Sequence, residues 1–162
     1  VSSTGVGYAA AVALAAIFAI AAVAKLRDVS ATERDFAGLG VPRASFFARF
    51  VPIAELSIVA LLLIVPPAGA IAALVSLAFF TTFLIGRLRA GVRAPCACFG
   101  SSRAQPISVR DVIRNLLLMA LAVVSLATDR PTAITPLDAL AVLAVTAVAG
   151  GALHLAGRVR SR

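Results

Sequence analysis

The stretch GYAAAVALAAIFAIAAVA, residues 7–24, decides the fold. Eighteen residues pass without a charge, and at about 1.5 Å per residue a helix of that length, with its flanking turns, crosses a hydrocarbon core about 30 Å thick. The run ends in Lys25-Leu26-Arg27-Asp28, where the two cations favour a helix C-terminus and can snorkel to lipid headgroups. No Lys or Arg precedes it, so it lacks the basic leader of a secretory signal and is expected to be retained. Composition extends the reading to the whole chain. Of 162 residues 61% are hydrophobic and 14% charged, with a mean hydropathy of +1.03, which is too apolar for a soluble domain. The expectation is one integral membrane domain of class all-α, a polytopic helix bundle. The net charge of +8 sits in short basic segments beside apolar runs, where it serves topology and anionic lipid rather than nucleic acid.

Four further spans are expected outward from the first, at about 51–65, 70–86, 109–128 and 139–157. Between the first two, Ser30-Ala31-Thr32-Glu33 has the spacing of a capping box and Gly38 is available to stop the short helix it begins. Arg43 to Phe50 mixes Phe46, Phe47 and Phe50 with Arg43 and Arg49, as expected of a segment lying along the interface. The second span holds Pro52 and Glu55 ahead of the uninterrupted run Leu56 to Val65. A carboxylate at that depth is costly unless paired, and Lys25 or Arg27 at the same membrane face is its expected partner. Two roles stay open for Glu55, a salt bridge fastening helix to helix and a part in proton transfer. Pro66-Pro67-Ala68-Gly69 reads as a turn, and Ser108-Val109-Arg110-Asp111 as a second capping box with Ile107 and Val112 spaced as a hydrophobic staple. Arg110, Asp111, Arg114 and Asn115 then occupy the first turns of the fourth span.

The two cysteines stand in Arg93-Ala94-Pro95-Cys96-Ala97-Cys98-Phe99-Gly100. A disulfide across one intervening residue is tight, which suits an exchangeable bond better than a staple. Pro95 stiffens the approach, Gly100 can take a positive φ, Phe99 anchors the turn at the interface, and neighbouring arginines favour the thiolate that attacks disulfides. The alternative is that Cys96 and Cys98 are small apolar loop residues. Two thiolates and a distant His154 fall short of the usual four ligands, so no metal site is expected. His154 itself is a candidate proton shuttle or an interfacial packing residue.

Of fifteen Lys and Arg, five lie between Lys25 and Arg49, six between Arg87 and Arg114 and three at the C-terminus, leaving only Arg130 for the other side. The positive-inside rule then places the N-terminus outside and the C-terminus and cysteine turn at the cytoplasmic face.

Taken together, these residues resemble the MauE branch of the DoxX-like membrane proteins. The likeness rests on Lys25-Leu26 with Asp28, on Pro52-x-x-Glu55-Leu56, on Cys96-Ala97-Cys98-Phe99-Gly100 and on Arg114-Asn115-Leu116, and it covers roughly Gly7 to Thr128. It implies a four-helix core, to which the span at 139–157 adds a fifth helix, and thiol-disulfide chemistry alongside a thioredoxin-like partner during maturation of a partner enzyme in methylamine utilisation or related redox systems. On it Cys96 and Cys98 are the catalytic candidates, with Lys25, Glu55, Phe99, Gly100, Arg114 and Asn115 in support. A membrane quinone is the candidate second carrier, by analogy with other small helical membrane oxidoreductases. The competing reading is a non-enzymatic subunit that assembles or anchors a membrane redox complex through its alanine-rich faces. A transporter ranks third, since repeated broken helices and several intramembrane charges are missing from the sequence.

Overall fold

The computed structural model describes residues 3–92, Ala94 and 106–127. Those residues form five helices: α1 Ser3–Arg27, α2 Val29–Gly38, α3 Ala44–Ile64, α4 Pro66–Arg89 and α5 Val109–Ala127. The four long ones close a ring in which α1 packs on α3 and α5, and α4 packs on the same two. The short α2 lies against α3 and the end of α1. Three of the long helices, α1, α3 and α4, are long and apolar enough to cross a membrane. Arg110, Asp111 and Arg114 set α5 apart from them, yet it completes the ring. The expected helix at 139–157 and His154 lie outside the described residues.

Small residues let these helices approach closely. Ala11, Leu14, Ala15 and Phe18 of α1 meet Ile58 and Leu62 of α3, Ala70, Ala73 and Leu77 of α4, and Leu118 and Ala122 of α5 in one buried core. Outward faces carry the opposite pattern for a water-soluble protein: Ile53, Leu63, Ile64, Ile71, Val75, Phe79, Leu117 and Val123 are all exposed. That is a lipid-facing surface, because in a bilayer the apolar exterior costs nothing. The chain is a multi-pass membrane protein.

The boundaries correct several expectations. The segment from Arg43 to Phe50 does not lie apart at the interface; residues 44–50 are the first two turns of α3, which runs on through Pro52. Pro52 forfeits a helical hydrogen bond, but it is buried with Ala48 and Val51, and the latter two pack with Phe36 and Val29 of α2, so burial outweighs the loss. Pro66-Pro67 is no turn either. Val65 alone (φ −132°, ψ 73°) reverses the chain, and the prolines occupy the first positions of α4, where a missing N–H is harmless. Gly69 makes so short a hairpin possible, for a Cβ there would stand 2.3 Å from the Leu62 nitrogen.

Helix α2 is capped two residues earlier than its sequence suggests. The Asp28 carboxylate, rather than the Ser30 hydroxyl, accepts from the Ala31 N–H at 2.9 Å, and Ser30 Oγ donates to that same carboxylate. The helix does end at Gly38, but the left-handed residue that turns the chain is Gly40, φ 72°. Its N–H donates to Ala37 O and that of Val41 to Phe36 O, a Schellman motif. The second capping box stands: the Asp111 carboxylate accepts from the Ser108 N–H at 3.0 Å, and Val112 packs on the cluster that contains Ile107.

Candidate functional site

One end of the bundle gathers the polar residues. Lys25 closes the buried stripe of α1 that runs through Leu14, Phe18 and Ala21–Ala22, and Glu55 interrupts the buried stripe of α3 between Val51 and Ile58. Asn115 heads the buried stripe of α5, followed by Leu118, Ala122 and Ser125. Helical periodicity therefore turns all three inward.

Lys25 Nζ donates to both oxygens of the Glu55 carboxylate, at 2.7 and 3.0 Å, and to Ala21 O at 3.5 Å. Lys25 is 4% and Glu55 6% exposed, so the pair is shielded from solvent on both sides. A charge at this depth is tolerated only with such a partner. The expected partner was Lys25 or Arg27; Arg27 is exposed and the bond is made by Lys25. Thr32 ties α2 to the same place, its hydroxyl meeting Asp28 O at 3.1 Å and Lys25 O at 3.4 Å.

Arg114 and Asn115 diverge although adjacent. Arg114 is half-buried and pairs with Asp111 at 3.1 Å. Asn115 is 2% exposed, and its Oδ1 is buried without a hydrogen-bond partner among the described residues. It lines a small cavity of about 20 Å³ together with Lys25, Glu55, Phe18 and Ser76. Such a space is about what one water needs.

Beside it lies a far larger cavity, of about 420 Å³, between α2, α3 and α4. Phe36, Glu55, Ser76, Phe80 and Leu84 line both, so they form the wall between the two. Six of the nine phenylalanines, Phe36, Phe47, Phe50, Phe79, Phe80 and Phe83, border the large cavity. Sequence reasoning missed it. The signal was present as a doublet, Phe46-Phe47-Ala48-Arg49-Phe50 on α3 and Phe79-Phe80-Thr81-Thr82-Phe83 on α4, the same F-F-x-x-F spacing on two helices that become neighbours. Arg87 straps the rim, donating to Gly40 O at 2.9 Å and lying over the Phe83 ring at 5.2 Å.

Cys96, Cys98, Phe99 and Gly100 lie outside the described residues. The two ends of their loop are placed. The Ile107 N–H donates to Ala94 O at 3.1 Å, and both residues pack with Leu39 and Leu84, which also line the large cavity. The cysteine-bearing segment is thus rooted beside the cavity and at the same end of the bundle as the Lys25–Glu55 pair.

A sequence model of the family described as "Methylamine utilisation protein MauE" matches residues 3–128, more than three quarters of the chain and the whole of the described bundle. The chain belongs to the MauE family. It is 35% identical over 127 residues to a Paracoccus denitrificans protein named "Methylamine utilization protein MauE", an alignment covering 75% of this chain and 68% of that one. No solved structure matches. The family match spans every element that builds the site, from the stripe of α1 to Asn115 on α5.

Proposed function

We propose that this member of the MauE family is an accessory membrane protein of methylamine utilisation or a related maturation system, and that it works by thiol-disulfide exchange through Cys96 and Cys98. The observation that carries the reading is the placement of the loop base. Ala94 and Ile107 are clipped together and packed on Leu39 and Leu84, so a segment holding the chain's two cysteines, two positions apart, emerges beside a buried ion pair and a ligand-sized cavity.

In the exchange one cysteine thiolate attacks a disulfide of a thioredoxin-like partner, forming a mixed disulfide and releasing one partner thiolate. The second cysteine then attacks the bonded sulfur of the first. The Cys96–Cys98 disulfide forms and the second partner thiolate leaves, so the partner gains the two electrons that the pair loses. The reverse sequence oxidises the partner, with two electrons and two protons delivered from the Cys96/Cys98 dithiol to a second carrier such as a membrane quinone, which leaves as the quinol. Strain in so short a ring keeps the disulfide easily reduced and the cycle reversible. The basic end of the bundle, with Arg87, Arg89, Arg110 and Arg114, favours the thiolate and, by the positive-inside rule, faces the cytoplasm.

The test is a pair of single substitutions. Cys96→Ser and Cys98→Ser, expressed at matched membrane abundance, are each expected to abolish the change in partner redox state, and the variant lacking the resolving thiol is expected to accumulate a mixed disulfide identifiable by mass spectrometry. Full partner turnover in both variants would reject the exchange and leave the assembly role.

A further inference from the structure

The aromatic cavity has a chemical character that the exchange at the cysteines does not explain. Its walls are phenylalanine rings and aliphatic groups, and its polar lining consists of Glu55 and Ser76. Both sit on the wall shared with the small inner cavity, where Lys25 and Asn115 wait. The polar end is therefore deep in the bundle, and the apolar end runs out past Phe50 and Phe79, both exposed on the outer faces of α3 and α4. A ligand that fits is flat enough to lie among aromatic rings, polar at one end and greasy at the other, and soluble in the bilayer. A volume of about 420 Å³ accepts one substituted ring with the start of a tail.

Hydrogen bonding narrows the class. Ser76 puts a hydroxyl on the wall of an otherwise apolar cavity, and an acyl chain of a bilayer lipid would offer it no hydrogen-bond partner. Glu55 can accept a further bond and the Ser76 hydroxyl can donate or accept. A head group that accepts bonds in one oxidation state and donates them in the other meets such a mixed set in both. We propose that the cavity binds the ring of a membrane quinone or quinol, with one of its two oxygens toward the wall of Glu55 and Ser76 and its isoprenoid tail leaving between α3 and α4. This deepens the redox reading by naming where the second carrier docks: Leu39 and Leu84 at the cavity wall are the residues on which the cysteine loop is rooted.

The chain contains no tryptophan, so one can be introduced as a reporter. The full chain is reconstituted in phosphatidylcholine nanodiscs and titrated with decylubiquinone, reading fluorescence of Phe83→Trp at the cavity wall and of Val75→Trp on the lipid face. Circular dichroism verifies that both variants are helical. Saturable quenching is expected for Phe83→Trp, against the linear collisional quenching of Val75→Trp. Adding Ala54→Phe, which fills the cavity, is expected to raise the half-saturating concentration at least tenfold, and decane is expected not to displace the quinone. Linear quenching at both positions, indifference to Ala54→Phe, or displacement by decane would overturn the assignment. Titration of a Cys96→Ser/Cys98→Ser variant separates the two readings. Saturation unchanged in that variant supports the cavity even if the cysteines prove inert, whereas cysteines that cycle in a protein without saturable binding overturn the cavity and leave the exchange standing.

Discussion

The Lys25–Glu55 pair is expected to behave as one unit, and a double-mutant cycle measures this. At 2.7 Å and an effective dielectric of 20 the attraction is about 6 kcal/mol. Removing two ions from water costs several kcal/mol each, so the intact pair contributes little net stability. Breaking it is another matter. With Lys25 4% and Glu55 6% exposed, the survivor is left as a buried charge without its ion-pair partner, and each of Lys25→Met and Glu55→Gln is expected to cost about 3–5 kcal/mol. The double variant Lys25→Met/Glu55→Leu leaves no buried charge and is expected to fall within about 2 kcal/mol of wild type. Unfolding free energies from steric trapping in bicelles give all four corners. Single variants within 1 kcal/mol of wild type, or a double variant as unstable as the sum of the singles, would refute a buried, mutually dependent pair. The cycle also separates structure from chemistry. If the pair only fastens α1 to α3, the double variant keeps partner turnover; if it carries protons, turnover is lost while stability is retained.

Other sites give sharper single answers. Gly69→Ala puts a Cβ 2.3 Å from the Leu62 nitrogen, so the α3–α4 hairpin must open and stability should drop by about 1–3 kcal/mol or more in the same unfolding assay. Asp28→Ala removes the cap of α2 and should cost about 1 kcal/mol, with hydrogen exchange rising first at Ala31 and Thr32. Arg43 is held at φ 52°, a left-handed conformation that glycine adopts freely, so Arg43→Gly should stabilise by up to about 1 kcal/mol. An impermeant maleimide added to intact cells after permeant reduction should leave Cys96 and Cys98 unlabelled; ready labelling from outside would invert the assigned topology.

Much of this was legible in the sequence because charge is so scarce in it. Glu55 stands out in an apolar run, Lys25 closes another, and both reach the same end of the bundle, so their meeting follows from topology. The Ser108–Asp111 box was equally plain, since its partners are three residues apart. What escaped was whatever depends on the helix faces. In α1 alanine, with scattered valine and isoleucine, occupies every side, so nothing in the pattern tells the core stripe from the lipid stripe; only packing does. Prolines misled in both directions. Pro52 and the arginines before it resembled a boundary that burial against α2 overrides, and Pro66-Pro67 resembled a turn although proline starts helices well. The cavity was hidden for a third reason: Phe46, Phe47 and Phe50 read as interfacial and Phe79, Phe80 and Phe83 as part of an apolar span, and only the pairing of α3 with α4 makes a pocket of the two.

The claim on which the functional account stands is that Cys96 and Cys98 cycle together between dithiol and disulfide. Acid-quenching native membranes, alkylating with a mass-shifting maleimide before and after reduction, and resolving the chain by gel measures it directly. The account predicts two populations, unlabelled and doubly labelled, whose ratio moves when the partner thiol protein is removed and which no singly labelled species joins. Two thiols that remain fully labelled whatever the partner's redox state would contradict it.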